Sequence, residues 1–351
     1  MHPGSLAGAV VVFDMIPRID FEATGAVNNA LAAIGRTEDL RFSPDNRLLA
    51  VAGYGRRRCL MLRIDIESTA GAARIVIRGF VELRSDSMGE VHGLDFIDNR
   101  TFVVANRDGL VAVFALPQGE PAGQGHEISP LRVIKGSRLC RLRTPGSVAV
   151  RRESHGRLSL LVCNNYTHRV TRHVIHRRWG YRALWNQLLL EQGLDIPDGI
   201  ALSHDGRWVA VSSHGTNDVK IYDMSAPLGP ETRPAGVLEN ANYPHGLRFT
   251  QDGSHILVAD AGSPMVHVYA SDEDWKGRRT PSRSVAVLDD ESFLRGRASV
   301  EEGGPKGLDI DKSNSVVAVT CQEQPLAFYG LSSIVGRKAA EPEFRVLGRP
   351  G

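Results

Sequence analysis

The stretch PDGIALSHDGRWVAVSS, Pro197 to Ser213, decides the fold. It reads as a short apolar strand from Gly199 to Leu202, a polar turn carrying Asp205-Gly206, and a second strand, Trp208 to Val211, rich in β-branched residues. Apolar runs on both sides of an Asp-Gly turn mark an antiparallel hairpin, because that pair supplies the positive φ values a tight turn needs. Five further stretches repeat the pattern: EDLRFSPDNRLLAVAG from Glu38, VHGLDFIDNRTFVVAN from Val91, PGSVAVRRESHGRLSLLVCN from Pro145, PHGLRFTQDGSHILVAD from Pro244 and PKGLDIDKSNSVVAVTC from Pro305. Aligned on the glycine of the first strand, the series runs Asp39, Gly93, Ser147, Gly199, Gly246 and Gly307, with steps of 54, 54, 52, 47 and 61 residues.

That period suits one four-stranded blade. A third alternating strand follows most hairpins, as LVAVFAL from Leu110, DVKIYDM from Asp218, MVHVYA from Met265 and LAFYGL from Leu326. A weaker outer strand is visible at Arg132-Val-Ile and Phe344-Arg-Val-Leu, and helical periodicity occurs only around Ala183 to Gln192. The expected fold is all-β: a six-bladed β-propeller of four-stranded antiparallel blades, with seven blades as the alternative. With no linker or composition break, residues 1–351 are expected to form a single domain. The strand-like segment near 8–14 has no hairpin before it, so it is expected to close the ring by pairing in the last blade.

At the level of these motifs the chain resembles the NHL and SMP-30/gluconolactonase-like propellers and the related YVTN lactonase-like repeats. The carrying residues are Pro197-Asp-Gly-Ile-Ala followed by Asp205-Gly, and Pro244-His-Gly-Leu followed by Asp252-Gly and Val258-Ala-Asp. The resemblance spans most of the chain and implies repeat architecture more than activity.

A hairpin brings the start of its first strand and the end of its second to the same end, so aligned copies define two rings on one face of a central channel. The first ring reads Glu38, His92, Gly146, Asp198, His245 and Lys306; the second reads Gly53, Asn106, Asn164, Ser213, Asp260 and Cys321. Polar groups over an apolar ring are a pocket signature. The alternative is that they only satisfy backbone at the hairpin ends. Charges around a narrow axis are costly unless paired, metal-bound or shifted in pKa. In one reading Glu38, His92, Asp198 and His245 hold a divalent ion, and their mixed nitrogen and oxygen donors suit Zn²⁺ or a similar metal better than Ca²⁺. In a metal-free reading His92 or His245 is a general base oriented by Asp198, while Lys306 stabilises developing negative charge.

The resemblance adds to this. SMP-30-like lactonases hold a divalent cation on a first-blade Glu and on Asn and Asp from later blades. Glu38 and Asp198 match the Glu and the Asp, but no repeat here has Asn before the glycine and two have His. Histidines lining a six-bladed channel look more like zinc-dependent peptidyl-amide lyase propellers. Asn106, Asn164, Ser213, Asp260, His214 and Arg57 are expected binding or rim groups. The expected function is hydrolysis of a lactone, ester or similar carbonyl compound at an axial pocket. A lyase or isomerase on the same scaffold, or a non-catalytic scaffold for a partner protein, is the alternative.

Lys plus Arg (42) nearly balances Asp plus Glu (40), which argues against nucleic acid or a membrane surface as partner and for a small-molecule substrate. The segment from Tyr166 to Arg182 is basic with aromatic residues interleaved, yet its alternation reads as a third strand, which places His168, His173 and His176 outside the site. Cys59, Cys140, Cys163 and Cys321 form no C-x-x-C pair and read as reduced core thiols. With no export signal or transmembrane-length run, the expected location is the cytoplasm. No P-loop, dinucleotide fingerprint or G-x-S-x-G elbow occurs in a suitable context, so no nucleotide cofactor is expected.

Overall fold

The computed structural model describes residues 15–336 except 70–71, 119–124, 139 and 298. Each repeat unit forms one antiparallel sheet, and there are six. Blade 1 contains Thr37–Phe42, Leu48–Gly53, Arg58–Thr69 and Ala72–Arg84; blade 2 contains Val91–Asp98, Thr101–Asn106, Leu110–Ala115 and Arg132–Ile134. Blade 3 contains Pro145–Arg152, Arg157–Asn164, Arg169–His176 and Arg182–Leu190; blade 4 contains Pro197–Leu202, Trp208–Ser213, Asp218–Asp223 and Gly236–Leu238. Blade 5 contains Pro244–Phe249, His255–Asp260, Met265–Ala270 and Arg283–Ala286. In blade 6, Gly307–Ile310, Val316–Thr320 and Ala327–Gly330 are followed not by a C-terminal strand but by Arg18–Ile19, with Arg18 opposite Tyr329 and Ile19 opposite Phe328. An N-terminal strand thus pairs in the last blade; residues 8–14 and the strand expected at Phe344 lie outside the described residues.

The number of blades follows from the core. Apolar side chains gather into six clusters, each shared by two neighbouring blades. The closing cluster packs Val316, Ala318 and Phe328 of blade 6 against Leu40, Leu49 and Leu60 of blade 1. Blade 6 therefore covers blade 1 directly and leaves no gap for a seventh.

The repeated glycine has a steric cause. Innermost strands of neighbouring blades meet there backbone to backbone: a Cβ on Gly199 would lie 2.1 Å from the carbonyl oxygen of His245, and one on Gly246 would lie 2.5 Å from that of Lys306. Two residues further along the same strands, buried carboxylates tie each blade to the next. Asp95 accepts from Val150 N at 2.7 Å and Asp309 from Phe42 N at 2.8 Å.

The helical periodicity around Ala183 misleads. Arg182–Leu190 is the outer strand of blade 3, and two register shifts against Arg169–His176 break its strict alternation. A helix does form at Gly25–Ala33, where Thr24 caps by accepting from Val27 N at 3.4 Å and Val27, Leu31 and Ile34 pack onto blade 1.

Candidate functional site

The first ring is assembled by a repeated irregularity. In blades 1 to 5 the pairing of the two innermost strands shifts register around the ring residue, between Thr37 and Leu40, Val91 and Gly93, Pro145 and Val148, Pro197 and Ile200, and Pro244 and Leu247. A bulge turns a side chain away from the strand's ordinary alternation. Here it accompanies the convergence of Glu38, His92, Asp198 and His245 into one buried cluster, joined by Lys306.

His245 bridges the two carboxylates, with Nε2 3.3 Å from Glu38 Oε2 and 3.0 Å from Asp198 Oδ2. His92 stacks on His245 with ring centroids 5.3 Å apart, and its Nε2 lies 3.8 Å from Glu38 Oε2 and 3.8 Å from Asp198 Oδ1. Its other nitrogen, Nδ1, is 2.9 Å from the carbonyl of Gly146, to which it must donate. That bond fixes the tautomer, so the Nε2 lone pair faces two carboxylates with nothing positive between them. Gly146 is necessary at its ring position, since a Cβ there would sit 2.6 Å from Asp198 Oδ1.

His214, expected at the rim, belongs to the buried cluster. Its ring stacks on Tyr243 at 3.9 Å and its Nε2 is 3.7 Å from Asp198 Oδ2. Glu38 Oε2, Asp198 Oδ2 and His214 Nε2 are buried acceptors that receive no hydrogen bond among the described residues. Two sets of three, Glu38–His92–His245 and Asp198–His214–His245, each bring their ligand atoms within 4.8 Å of one another.

The electrostatics match. Burial opposes charge on Glu38 and Asp198, yet Lys306 beside the first and the histidines beside the second hold both carboxyls well below their usual range. Burial also opposes a charged His245, but the flanking carboxylates outweigh it and raise the ring to about 9. Burial pushes His92 down to about 3 and His214 to about 4, so both rings are neutral. Lys306 Nζ, 3.1 Å from Glu38 Oε2, also binds Glu302, and Arg36 pairs with the same two carboxylates.

The second ring does different work. Its polar atoms turn onto the chain entering each blade: Asn106 Oδ1 accepts from Gly89 N at 3.0 Å, Asn164 Oδ1 from Arg143 N at 2.9 Å, Ser213 Oγ from Asp195 N at 3.0 Å and Asp260 Oδ2 from Asn242 N at 3.0 Å. In all four blades the donor lies two residues before the first strand. The residue after each ring position is the one that reaches the cluster. Tyr54 lies edge-on to His92, Arg107 Nη1 is 4.0 Å from Asp198 Oδ1, Asn165 donates to Asp198, and His214 completes the series. Alternation along a strand carries this signal, read one residue out of step. Arg57 stands exposed in a left-handed turn with φ of 52°. Asn106→Ala should therefore lower stability by about 1–3 kcal/mol, the cost of buried groups losing their partner, and leave turnover per folded molecule unchanged. Denaturant melts beside activity assays check this; a turnover loss without a stability loss contradicts it.

An axial cavity of about 680 Å³ opens at the opposite, turn end of the channel, lined by Arg41, Asp95, Arg248 and Asp309 among others. The cluster itself is covered by Arg36, Tyr54, Arg107 and Glu302, each partly exposed.

Residues 195–287, most of blades 4 and 5, match the family described as lactonase, 7-bladed beta-propeller. The match covers too little of the chain to bear on the count of six. No curated protein matches. Among solved structures, a functionally unknown protein from Desulfotomaculum acetoxidans DSM 771 superposes with a TM-score of 0.54 at 13% identity, covering 84% of this chain and 83% of that one. A luciferin-regenerating enzyme superposes with a TM-score of 0.53 at 12% identity, covering 83% and 86%. The chain is thus a lactonase-like propeller in fold.

Proposed function

We propose that this protein is a metal-dependent hydrolase of a lactone, ester or similar carbonyl compound, with its metal on Glu38, Asp198, His92 and His245 and with His214 as a fifth donor. The observation that carries the reading is the convergence of two ionised carboxylates and three imidazole Nε2 atoms on one buried spot, with three acceptors left without donors. A mixed nitrogen and oxygen set of this kind fits Zn²⁺ or Mn²⁺. When bound, such an ion polarises a carbonyl and lowers the pKa of water.

The chain's own groups supply the rest. Arg107 offers a buried Nη1 with no hydrogen-bond partner among the described residues, suited to hold a substrate oxygen as negative charge develops on it. Lys306 takes the role of neutralising Glu38, with Glu302 sharing its charge. Glu38 and Asp198, ionised, can accept a proton from attacking water. The lactonase-like stretch over blades 4 and 5 includes Asp198, His214 and His245, which is consistent with lactone chemistry. Four buried free cysteines, and no helix among the described residues long and apolar enough to cross a membrane, accord with a cytoplasmic location.

The test is metal analysis of the purified protein followed by assay against a panel of lactones and aryl esters. Stoichiometric zinc or manganese with chelator-sensitive hydrolysis is expected. Because His245 is protonated below about 9 without metal and must lose that proton to ligate, apparent metal affinity should rise up to about tenfold per pH unit from about 7 to 9. Absence of metal affinity, or affinity flat across that range, overturns the assignment.

A further inference from the structure

The near-neutral total charge conceals a strong asymmetry. Residues 128–190, which lead into and form blade 3, hold thirteen of the chain's 42 Lys and Arg and one, Glu153, of its 40 Asp and Glu. That is a formal +12 in a chain of +2, leaving 29 cations against 39 carboxylates elsewhere. Chain-wide balance, on which nucleic acid was unexpected, averages this away.

The topology gathers much of this charge at one end. Arg157, His176 and Arg182 lie in register across the second, third and outer strands of blade 3, beside the end of the first strand at Arg152 and the turn Arg177–Trp179. Arg152, Arg177, Arg178 and Arg182 are exposed. Glu153 is engaged by Arg172 and Ser159, and Asp98 of blade 2 by Arg177. Arg178 and Arg182 form no ion pair among the described residues. Trp179 is 61% exposed, and one face is braced on His176 with ring centroids 4.2 Å apart and planes 20° apart. The first strand runs from the buried cluster to this end, so the surface faces away from the proposed catalytic site and continues through Arg151 and Arg152 to the 680 Å³ channel mouth.

We propose that the turn end of blade 3 binds single-stranded nucleic acid. The arginines match phosphates in charge and in planar donor geometry, and Trp179, held flat with one face open, is a platform for a base. An anionic membrane would call for apolar side chains free to insert beside the cations, whereas Trp179 is laid against His176.

The test is fluorescence anisotropy of the full chain with labelled single-stranded DNA and RNA of about 20 nucleotides, over a salt series. Binding that weakens steeply with salt is expected. Arg178→Glu with Arg182→Glu should weaken it at least about tenfold and flatten the log–log salt slope by about 1.4, two phosphate contacts at roughly 0.7 each. Trp179→Ala should weaken it about fivefold or more at unchanged slope, and Arg74→Ala on blade 1 should not matter. Hydrolysis should be untouched in all of these, so failure here is distinct from failure of the catalytic reading. No oligonucleotide binding, equal loss with Arg74→Ala, or binding to phosphatidylserine vesicles in place of oligonucleotides overturns the proposal.

Discussion

Asp198→Ala and His245→Ala should each extinguish metal-dependent hydrolysis while leaving a folded propeller. Asp198 faces His245, His92 and His214 at 3.0, 3.8 and 3.7 Å, so its loss removes a ligand and the charge that organises three others. His245 is the only residue common to both candidate ligand triplets. Losing merely an outer-shell partner of a ligand costs about 10–100-fold in affinity or activity, so loss of a direct ligand should exceed about 100-fold in metal affinity. A stability loss of about 3–5 kcal/mol is also expected for Asp198→Ala, since a buried charged network is left short of one partner. The six inter-blade clusters are untouched by either change, and circular dichroism should report an intact all-β fold. Unchanged hydrolysis in both folded variants would sink the assignment.

Much of this cluster was legible in the sequence because a repeat converts position along the chain into position around an axis. Aligning six hairpins on one glycine placed Glu38, His92, Asp198, His245 and Lys306 side by side before any coordinate was known. What alignment cannot convey is which way a side chain points when a strand ends in a bulge. The polar residues at the second-strand ends looked like a ring of binding groups, but each is turned onto the incoming loop. Tyr54, Arg107 and Asn165, one residue later, are the groups that reach the cluster. A one-residue slip in a period of two exchanges inside for outside. Closure was visible as an unpaired N-terminal strand, but its observed position, Arg18–Ile19, depends on how the chain leaves Gly330 and could not be read from apolar pattern.

The glycine that anchored that alignment makes a second large expectation. Gly199→Ala should destabilise the propeller more than loss of any single second-ring side chain, by about 3–5 kcal/mol, at or above the upper end of ordinary overpacking. The reason is that the added Cβ meets backbone. It would lie 2.1 Å from the carbonyl oxygen of His245 and 2.9 Å from Ser212 Oγ, and Ser212 itself donates to that carbonyl at 2.7 Å. A side chain could rotate away; the innermost strand of blade 5 can yield only by moving His245. The substitution should therefore lower metal affinity along with stability, although residue 199 touches no metal. Gly206→Ala supplies the contrast: that turn glycine has φ of 71° but nothing within 4 Å of its Cβ, so its cost is backbone strain alone, about 1–2 kcal/mol. Thermal melts and metal titrations of both variants check the pair. If Gly199→Ala proves no worse than Gly206→Ala, and metal binds normally, then close approach of the innermost strands does not account for the glycine of the repeat, and the argument that neighbouring blades position the site through their backbones fails with it.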